Sequence, residues 1–385
     1  MNFDFSDDQQ AIKRTAKDLL AARFKPDHVR ALAEAKAYDD DAWKELAELG
    51  WTGIFIDERY GGQGLGTVEL VILMEELGYA LAPLPFLSNA AAGLVIASAG
   101  SDGQKERWLP GIASGEALGT LGIMRDGEAR LVPDADTADV IVLAGHEGAR
   151  IVERSDADLE VVETMDATRR FGRVQADGGD ALEGDRLPGL GRLAVALAAE
   201  LTGVSQRAMD FAVEYARDRK QFGRPIGAYQ AVSHRCAEML LLTEGSRSAS
   251  YYGAWVADAE PETLPRAACM AKAYASDAGW QVCTSALQVL GGIGFTWEHD
   301  LHFFLKRARV DGALYGSAKE FREHLADLTA PRAAQPATSR SVRAAVARQA
   351  LLALLDRPAA LRAERDLVEP RHLPLSLHAC GMVSR

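Results

Sequence analysis

The sequence predicts a mainly α protein with a small central β-domain, and three observations predict it. Apolar residues recur at helical spacing at both ends of the chain. Short β-branched runs cluster between them. A long stretch over 267–290, rich in Ala, Ser, Gly and Cys, carries the small side chains that let helices pack closely in a bundle.

The first segment opens on Ser6-Asp7-Asp8-Gln9, a capping-box pattern, and continues with Ile12, Ala16, Leu19 and Leu20 on one helical face. Helical periodicity returns over 43–49 and 68–77, with the glycine-rich turn Tyr60-Gly61-Gly62-Gln63-Gly64-Leu65-Gly66 between them. Residues 1–118 therefore read as an N-terminal helical domain. The runs Val140-Ile141-Val142-Leu143, Ala149-Arg150-Ile151-Val152 and Leu159-Glu160-Val161-Val162 read as strands of a reduced β-domain over 119–180. From Leu187 helices resume: Val204, Ala208, Phe211, Ala212 and Tyr215 form one stripe, and 187–328 read as a helical bundle. The remaining 329–385, Arg-rich and Lys-free, read as a mobile solvated tail.

A chain of 385 residues exceeds one ordinary core, and 48% hydrophobic with 25% charged residues is the composition of a globular protein. A net charge of -12 repels phosphate backbones, so nucleic acid is excluded as a partner. The start lacks a basic segment followed by an apolar one, and no uninterrupted apolar run approaches the ~20 residues that cross a bilayer. A cytoplasmic protein without a membrane role is expected. Cys236, Cys269, Cys283 and Cys380 are too widely spaced for a metal site and read as buried thiols; no metal is expected.

Two motifs carry chemistry. A helix ending in glycines at Gln288-Val289-Leu290-Gly291-Gly292-Ile293-Gly294-Phe295 leaves backbone open to close approach, although alone it is an ordinary helix stop. Upstream, Arg217-Asp218-Arg219-Lys220-Gln221-Phe222-Gly223-Arg224-Pro225-Ile226 gathers cations and amide donors at a turn, which suits a phosphate-bearing ligand. Together with Tyr60 to Gly66 before Glu75-Glu76-Leu77-Gly78, and Gln104-Lys105-Glu106-Arg107-Trp108-Leu109-Pro110, they closely resemble the signatures of the acyl-CoA dehydrogenase flavoprotein family over about residues 1–328.

The resemblance implies an N-terminal helical domain, a middle β-domain and a C-terminal four-helix bundle, with FAD at a subunit interface. It assigns Arg219, Lys220, Gln221 and Phe222 to the adenosine diphosphate side of FAD, with Gln230 as a further polar contact. Gln288, Val289, Leu290, Gly291 and Gly292 match the segment that reaches the flavin of a neighbouring subunit. It implies an acyl-CoA substrate and an electron-transfer flavoprotein as acceptor.

Desaturation of a thioester needs a base for the α-proton, and a desolvated carboxylate is the usual solution. Most family members place a Glu before a Gly-Thr-Ser-type segment; Gly316-Ser317-Ala318 matches it and puts Tyr315 at the Glu position. A phenol of ordinary pKa near 10 is a poor base. A second branch carries the Glu on an earlier helix, where Leu193 stands beside Arg192. Glu200, Asp311, Glu298 and Glu320 match neither position and read as solvated or salt-bridged. The family's Thr-Glu-Pro-type flavin loop is replaced by 118–127. The pattern resembles actinobacterial paired subunits that act on bulky CoA thioesters, including sterol side chains, in which a paralogous partner supplies the Glu. The alternatives are a homo-oligomer with an unusual base, Asp311 or Tyr315, and a non-catalytic scaffold.

Overall fold

The computed structural model describes residues 4–329; the tail beyond Thr329, and Cys380 with it, lie outside the described residues. Six helices come first: α1 (Asp7–Arg23), α2 (Pro26–Ala35), α3 (Asp40–Glu48), α4 (Thr67–Ala80), α5 (Phe86–Ala99) and α6 (Asp102–Ser114). The capping box read at Ser6 is present: Gln9 N donates to Ser6 Oγ at 3.2 Å and Ser6 N donates to Gln9 Oε1 at 3.0 Å. Each bond satisfies an amide that the first turn leaves without an intrahelical partner.

Seven short strands follow: β1 (Gly119–Ile123), β2 (Ala129–Pro133), β3 (Val140–Ala144), β4 (Ala149–Glu153), β5 (Asp158–Val162), β6 (Phe171–Gln175) and β7 (Asp180–Leu182). They form a four-stranded sheet of order β1-β3-β4-β7 and a three-stranded sheet of order β2-β6-β5. The β-branched runs became β3, β4 and β5. The segment read only as a replaced loop is in part a strand, since β1 pairs in parallel with β3, Gly119 opposite Val140 and Ile123 opposite Ala144. Ala129, Val132, Ile141, Leu143, Val152 and Val174 close a small core between the sheets.

The bundle is built from α7 (Leu187–Asp218), the two-stranded hairpin of β8 (Lys220–Gln221) and β9 (Arg224–Pro225), α8 (Gln230–Ala259), α9 (Leu264–Leu290), α10 (Leu301–Ala313) and α11 (Ala318–Thr329). α7 is long and apolar enough to cross a membrane by composition, but 83% of its apolar window is buried, which makes it the core helix of the fold. Small residues set the spacing. A Cβ on Gly203 of α7 would sit 1.9 Å from Glu75 O of α4, and one on Gly78 of α4 would sit 2.2 Å from Glu200 O of α7. The two helices thus mesh backbone to backbone, a contact only glycine permits. Cys269 and Cys283 are buried in α9, and Cys236 is half-buried in α8.

Candidate active site

α7 ends at Asp218 and the chain reverses through the hairpin, whose loop residues Phe222 and Gly223 have φ of 50° and 82°. Positive φ at both central positions is the geometry of a two-residue hairpin loop that matches strand twist. Glycine adopts it freely; phenylalanine does not. Phe222 nonetheless stands there 93% exposed, with Lys220, Gln221 and Arg224 also at the surface. Arg224 lies over the Tyr229 ring, 4.1 Å from its centroid, and Gln230 opens α8 directly behind.

The glycine segment lies where α9 stops. Gln288 is exposed, whereas Val289 and Leu290 turn their side chains into the core at 7% and 2% exposure, which leaves only their backbone for any ligand. Gly291 has φ of 62°, and neither it nor Gly292 has an atom within 4 Å of where a Cβ would be. Open space over bare backbone is what close approach of a ligand requires. α7 and α9 run through the bundle with α8 returning between them, so the hairpin and the glycine segment belong to the same end of it.

Tyr315 occupies a different environment. It follows α10 in a left-handed turn, with φ of 59° and Gly316 at 130°. Its hydroxyl donates to the Leu121 carbonyl of β1 at 3.4 Å. Burial pushes this phenol above its ordinary pKa, with the carboxylates of Asp134, Asp311 and Glu200 acting in the same direction and Arg169 opposing them. A base would need the opposite shift. The turn is pinned from α9 by Lys272, whose Nζ donates to the carbonyls of Asp311 at 2.9 Å, Gly312 at 3.2 Å and Gly316 at 3.1 Å, and to Ser276 Oγ at 3.0 Å. Burial lowers the Lys272 ammonium to about 7, with Asp311 and Glu320 opposing. Leu193, at the other position where the family carries a base, is 1% exposed and faces the core.

Beside Tyr315 lies a buried ionic cluster. Arg169, from the segment between β5 and β6, donates to Asp311 Oδ1 of α10 at 2.5 Å and to Glu200 Oε1 of α7 at 2.6 Å. Arg307 of α10 donates to the same Glu200 oxygen at 2.7 Å, to Asp166 Oδ2 at 2.5 Å and to Thr168 Oγ1 at 2.6 Å. Buried charges persist only when paired in this manner. Burial and the neighbouring Glu200 charge raise Asp311 to about 7 against the pull of Arg169 and Arg307. For Asp166 burial also raises the pKa, but Arg307 and Arg169 overcome it and hold the carboxyl below its ordinary value. Glu200 and Asp311 are thus salt-bridged, Glu298 is exposed, and Glu320 accepts from Ser317 N at 2.7 Å at the start of α11. Arg169, Arg307, Asp166 and Lys272 were not singled out from the sequence. The available signal was Glu200 itself, a charge in the otherwise apolar run 193–204 of α7.

The acyl-CoA dehydrogenase N-terminal domain matches residues 6–116 and the acyl-CoA dehydrogenase C-terminal domain matches residues 188–328. Acyl-CoA dehydrogenase IpdE2 of Mycobacterium tuberculosis is 35% identical over 323 residues, covering 83% of this chain and 96% of the relative. This chain belongs to the acyl-CoA dehydrogenase family. Acyl-CoA dehydrogenase FadE34 of the same organism is 33% identical, over 75% of this chain and 42% of that longer protein. Among solved structures, the Tcur3481-Tcur3483 steroid ACAD G363A variant is 26% identical with a TM-score of 0.77, covering 83% of this chain and 97% of that one. The ChsE4-ChsE5 complex of Mycobacterium tuberculosis shares the fold at 23% identity and a TM-score of 0.79, over 86% and 100% of the two chains. As an acyl-CoA dehydrogenase the chain is an oxidoreductase of the acyl-CoA class, with the mainly helical, small-sheet architecture of that family.

FAD fits this acyl-CoA dehydrogenase unevenly. Exposed cations and amides of the hairpin suit its diphosphate half, and the open backbone at Gly291 and Gly292 leaves room for close approach. On the β-domain side, the Leu121 carbonyl is already taken by Tyr315, and Asp134 is held by the hydroxyls of Tyr38 and Ser88.

Proposed function

We propose that this chain is the base-less subunit of a hetero-oligomeric, cytoplasmic acyl-CoA dehydrogenase that desaturates a bulky acyl-CoA, such as a steroid side-chain thioester, at its α,β-bond. Arg219, Lys220, Gln221, Phe222 and Gln230 hold the adenosine diphosphate side of FAD, and Gln288 with the backbone of Val289 to Gly292 reaches it from the neighbouring subunit. When bound, FAD supplies the hydride acceptor. The paralogous partner supplies the Glu that takes the α-proton, and an electron-transfer flavoprotein re-oxidises the complex.

One observation carries the reading: the residue at the base position, Tyr315, is a half-buried phenol raised in pKa and hydrogen-bonded to a β1 carbonyl, while the alternative position holds the buried Leu193. Neither can accept a proton at neutral pH. The strained, exposed Phe222 gives the same chain a projecting contact for a partner. The steroid class is supported by similarity to the Tcur3481-Tcur3483 steroid ACAD, whose name joins two proteins.

The test is expression alone and together with a paralogous acyl-CoA dehydrogenase, followed by flavin absorbance and acyl-CoA-dependent dye reduction. Flavin and turnover only in the co-expressed complex support the proposal. Robust desaturation by the purified homo-oligomer overturns it. A second reading rests on Asp311, whose carboxyl titrates at about 7 and whose Oδ2 has no hydrogen-bond partner among the described residues. Asp311→Asn with unchanged turnover removes it; a complex that assembles without flavin leaves the scaffold reading.

A further inference from the structure

A cavity of about 290 Å³ opens where α1, α2, α4, α7 and α10 diverge; none of its lining residues belongs to the hairpin or the glycine segment. Its walls are apolar, formed by Leu20, Phe24, Leu81, Phe211, Phe303 and Phe304. The volume is at the lower end of the ~300–1,000 Å³ range of ligand pockets, enough for a short aliphatic body.

The charges at its edge are unequally committed. Glu76 is ion-paired with Lys13 at 3.7 Å, and Asp300 pairs with Arg30, so both acids have their counter-charges. Lys17 and Lys25 are exposed at the rim, and their ammonium groups enter no hydrogen bond or ion pair among the described residues. Arg207 is half-buried and better placed. Its guanidinium lies 4.3 Å from the Phe211 ring centroid and 5.4 Å from that of Tyr79. Its one hydrogen bond goes to Tyr79 Oη at 3.3 Å, and it has no carboxylate partner among the described residues. Tyr79 in turn donates to Asp210 at 2.9 Å, which fixes the phenol and with it the guanidinium above it. A guanidinium held between two rings is oriented before any ligand arrives, so its free N–H groups form an anion receptor at little cost in side-chain entropy.

We infer that this cavity is a binding site for a small amphipathic carboxylate, its aliphatic body among Phe24, Leu81 and Phe304 and its carboxylate on Arg207, with Lys17 and Lys25 adding positive field. In a chain of net charge -12, a half-buried guanidinium without a carboxylate partner among the described residues, with Lys25 and the Glu76-facing Lys17 at the rim of one apolar cavity, is a local complement to that chemistry. The inference does not depend on which subunit carries the base.

Octanoate and its neutral analogue 1-octanol, neither bearing CoA, are titrated calorimetrically into the full chain, as the co-expressed complex where that is the stable form. Arg207→Gln removes the receptor charge, and Ala21→Trp fills the cavity from an exposed lining position. Circular dichroism and melting temperature confirm that each variant is folded, and either one alone suffices for the test. Saturable octanoate binding of one per chain is expected, weakened about tenfold or more by R207Q through loss of a charge-assisted hydrogen bond, with octanol little changed. A21W should abolish binding of both. Absence of saturable binding, retention in A21W, or equal octanoate affinity in wild type and R207Q would overturn the inference.

Discussion

Replacing Arg169 with Met would test whether the ionic cluster behaves as an interlocked unit. Arg169 supplies the hydrogen bonds to Asp311 Oδ1 at 2.5 Å and Glu200 Oε1 at 2.6 Å. In its absence Glu200 keeps Arg307 at 2.7 Å, but the Asp311 carboxylate keeps no hydrogen-bonded cation among the described residues, where its Oδ2 already has no partner. Orphaning one partner of a buried pair typically costs about 3–5 kcal/mol. The sign of the pH dependence follows from Asp311, raised to about 7 in the fold. Below that pH the carboxyl is protonated in wild type and variant alike. Above it the wild type ionises, whereas the variant, stripped of one of its two cations, retains the proton to higher pH. The destabilisation should therefore grow as pH rises above about 7, by at most about 1.4 kcal/mol per pH unit. Urea unfolding of the full chain, in its complex and at fixed protein concentration, read across this window, gives the value. A cost under about 1 kcal/mol, or one that shrinks as pH rises, would refute a shared buried network. Adding Asp311→Asn should remove the pH dependence.

Further outcomes follow from the same geometry. Tyr315→Phe loses only a long hydrogen bond to Leu121, so turnover of the assembled complex should be unchanged and stability should fall by about 1 kcal/mol at most; steady-state kinetics with melting checks both. Phe222→Ala removes an exposed ring and should leave thermal stability of the isolated chain unaltered while lowering partner or flavin retention on gel filtration. Gly291→Val places a β-branched residue at φ of 62° and ψ of -137°, and should cost about 1–3 kcal/mol and reduce flavin content measured by absorbance.

Local chemistry was legible and long-range chemistry was not. The Ser6 cap, the β-branched runs of β3 to β5 and the α7 stripe are set by neighbours a few residues apart, so periodicity and turn residues reveal them. β1 was hidden because Gly119-Thr120-Leu121-Gly122 has weak strand character, and its place comes from parallel pairing with β3. The hairpin and the glycine stop were visible as motifs. The ionic cluster could not be assembled by inspection: Arg169 and Asp311 stand 142 residues apart in the sequence, and single carboxylates such as Glu200 carry no mark of their partner. Burial of Val289 and Leu290 likewise depends on how α9 seats against its neighbours.

The glycine contact between α4 and α7 bears on how the chain can be divided. Gly78 and Gly203 each face the other helix's backbone, so the surface of one is moulded on the other and has no covering of side chains to present to water. The sheet segment between them is an insertion within one folding unit rather than a linker between two. A cut placed between the sheet and α7 would yield an N-terminal fragment with a bared main-chain groove and a bundle lacking the helix that fills it. Circular permutants can open at the 146–148 turn because both helices then stay on one polypeptide, whereas truncations and gene fusions should leave everything from α4 to the end of α11 intact.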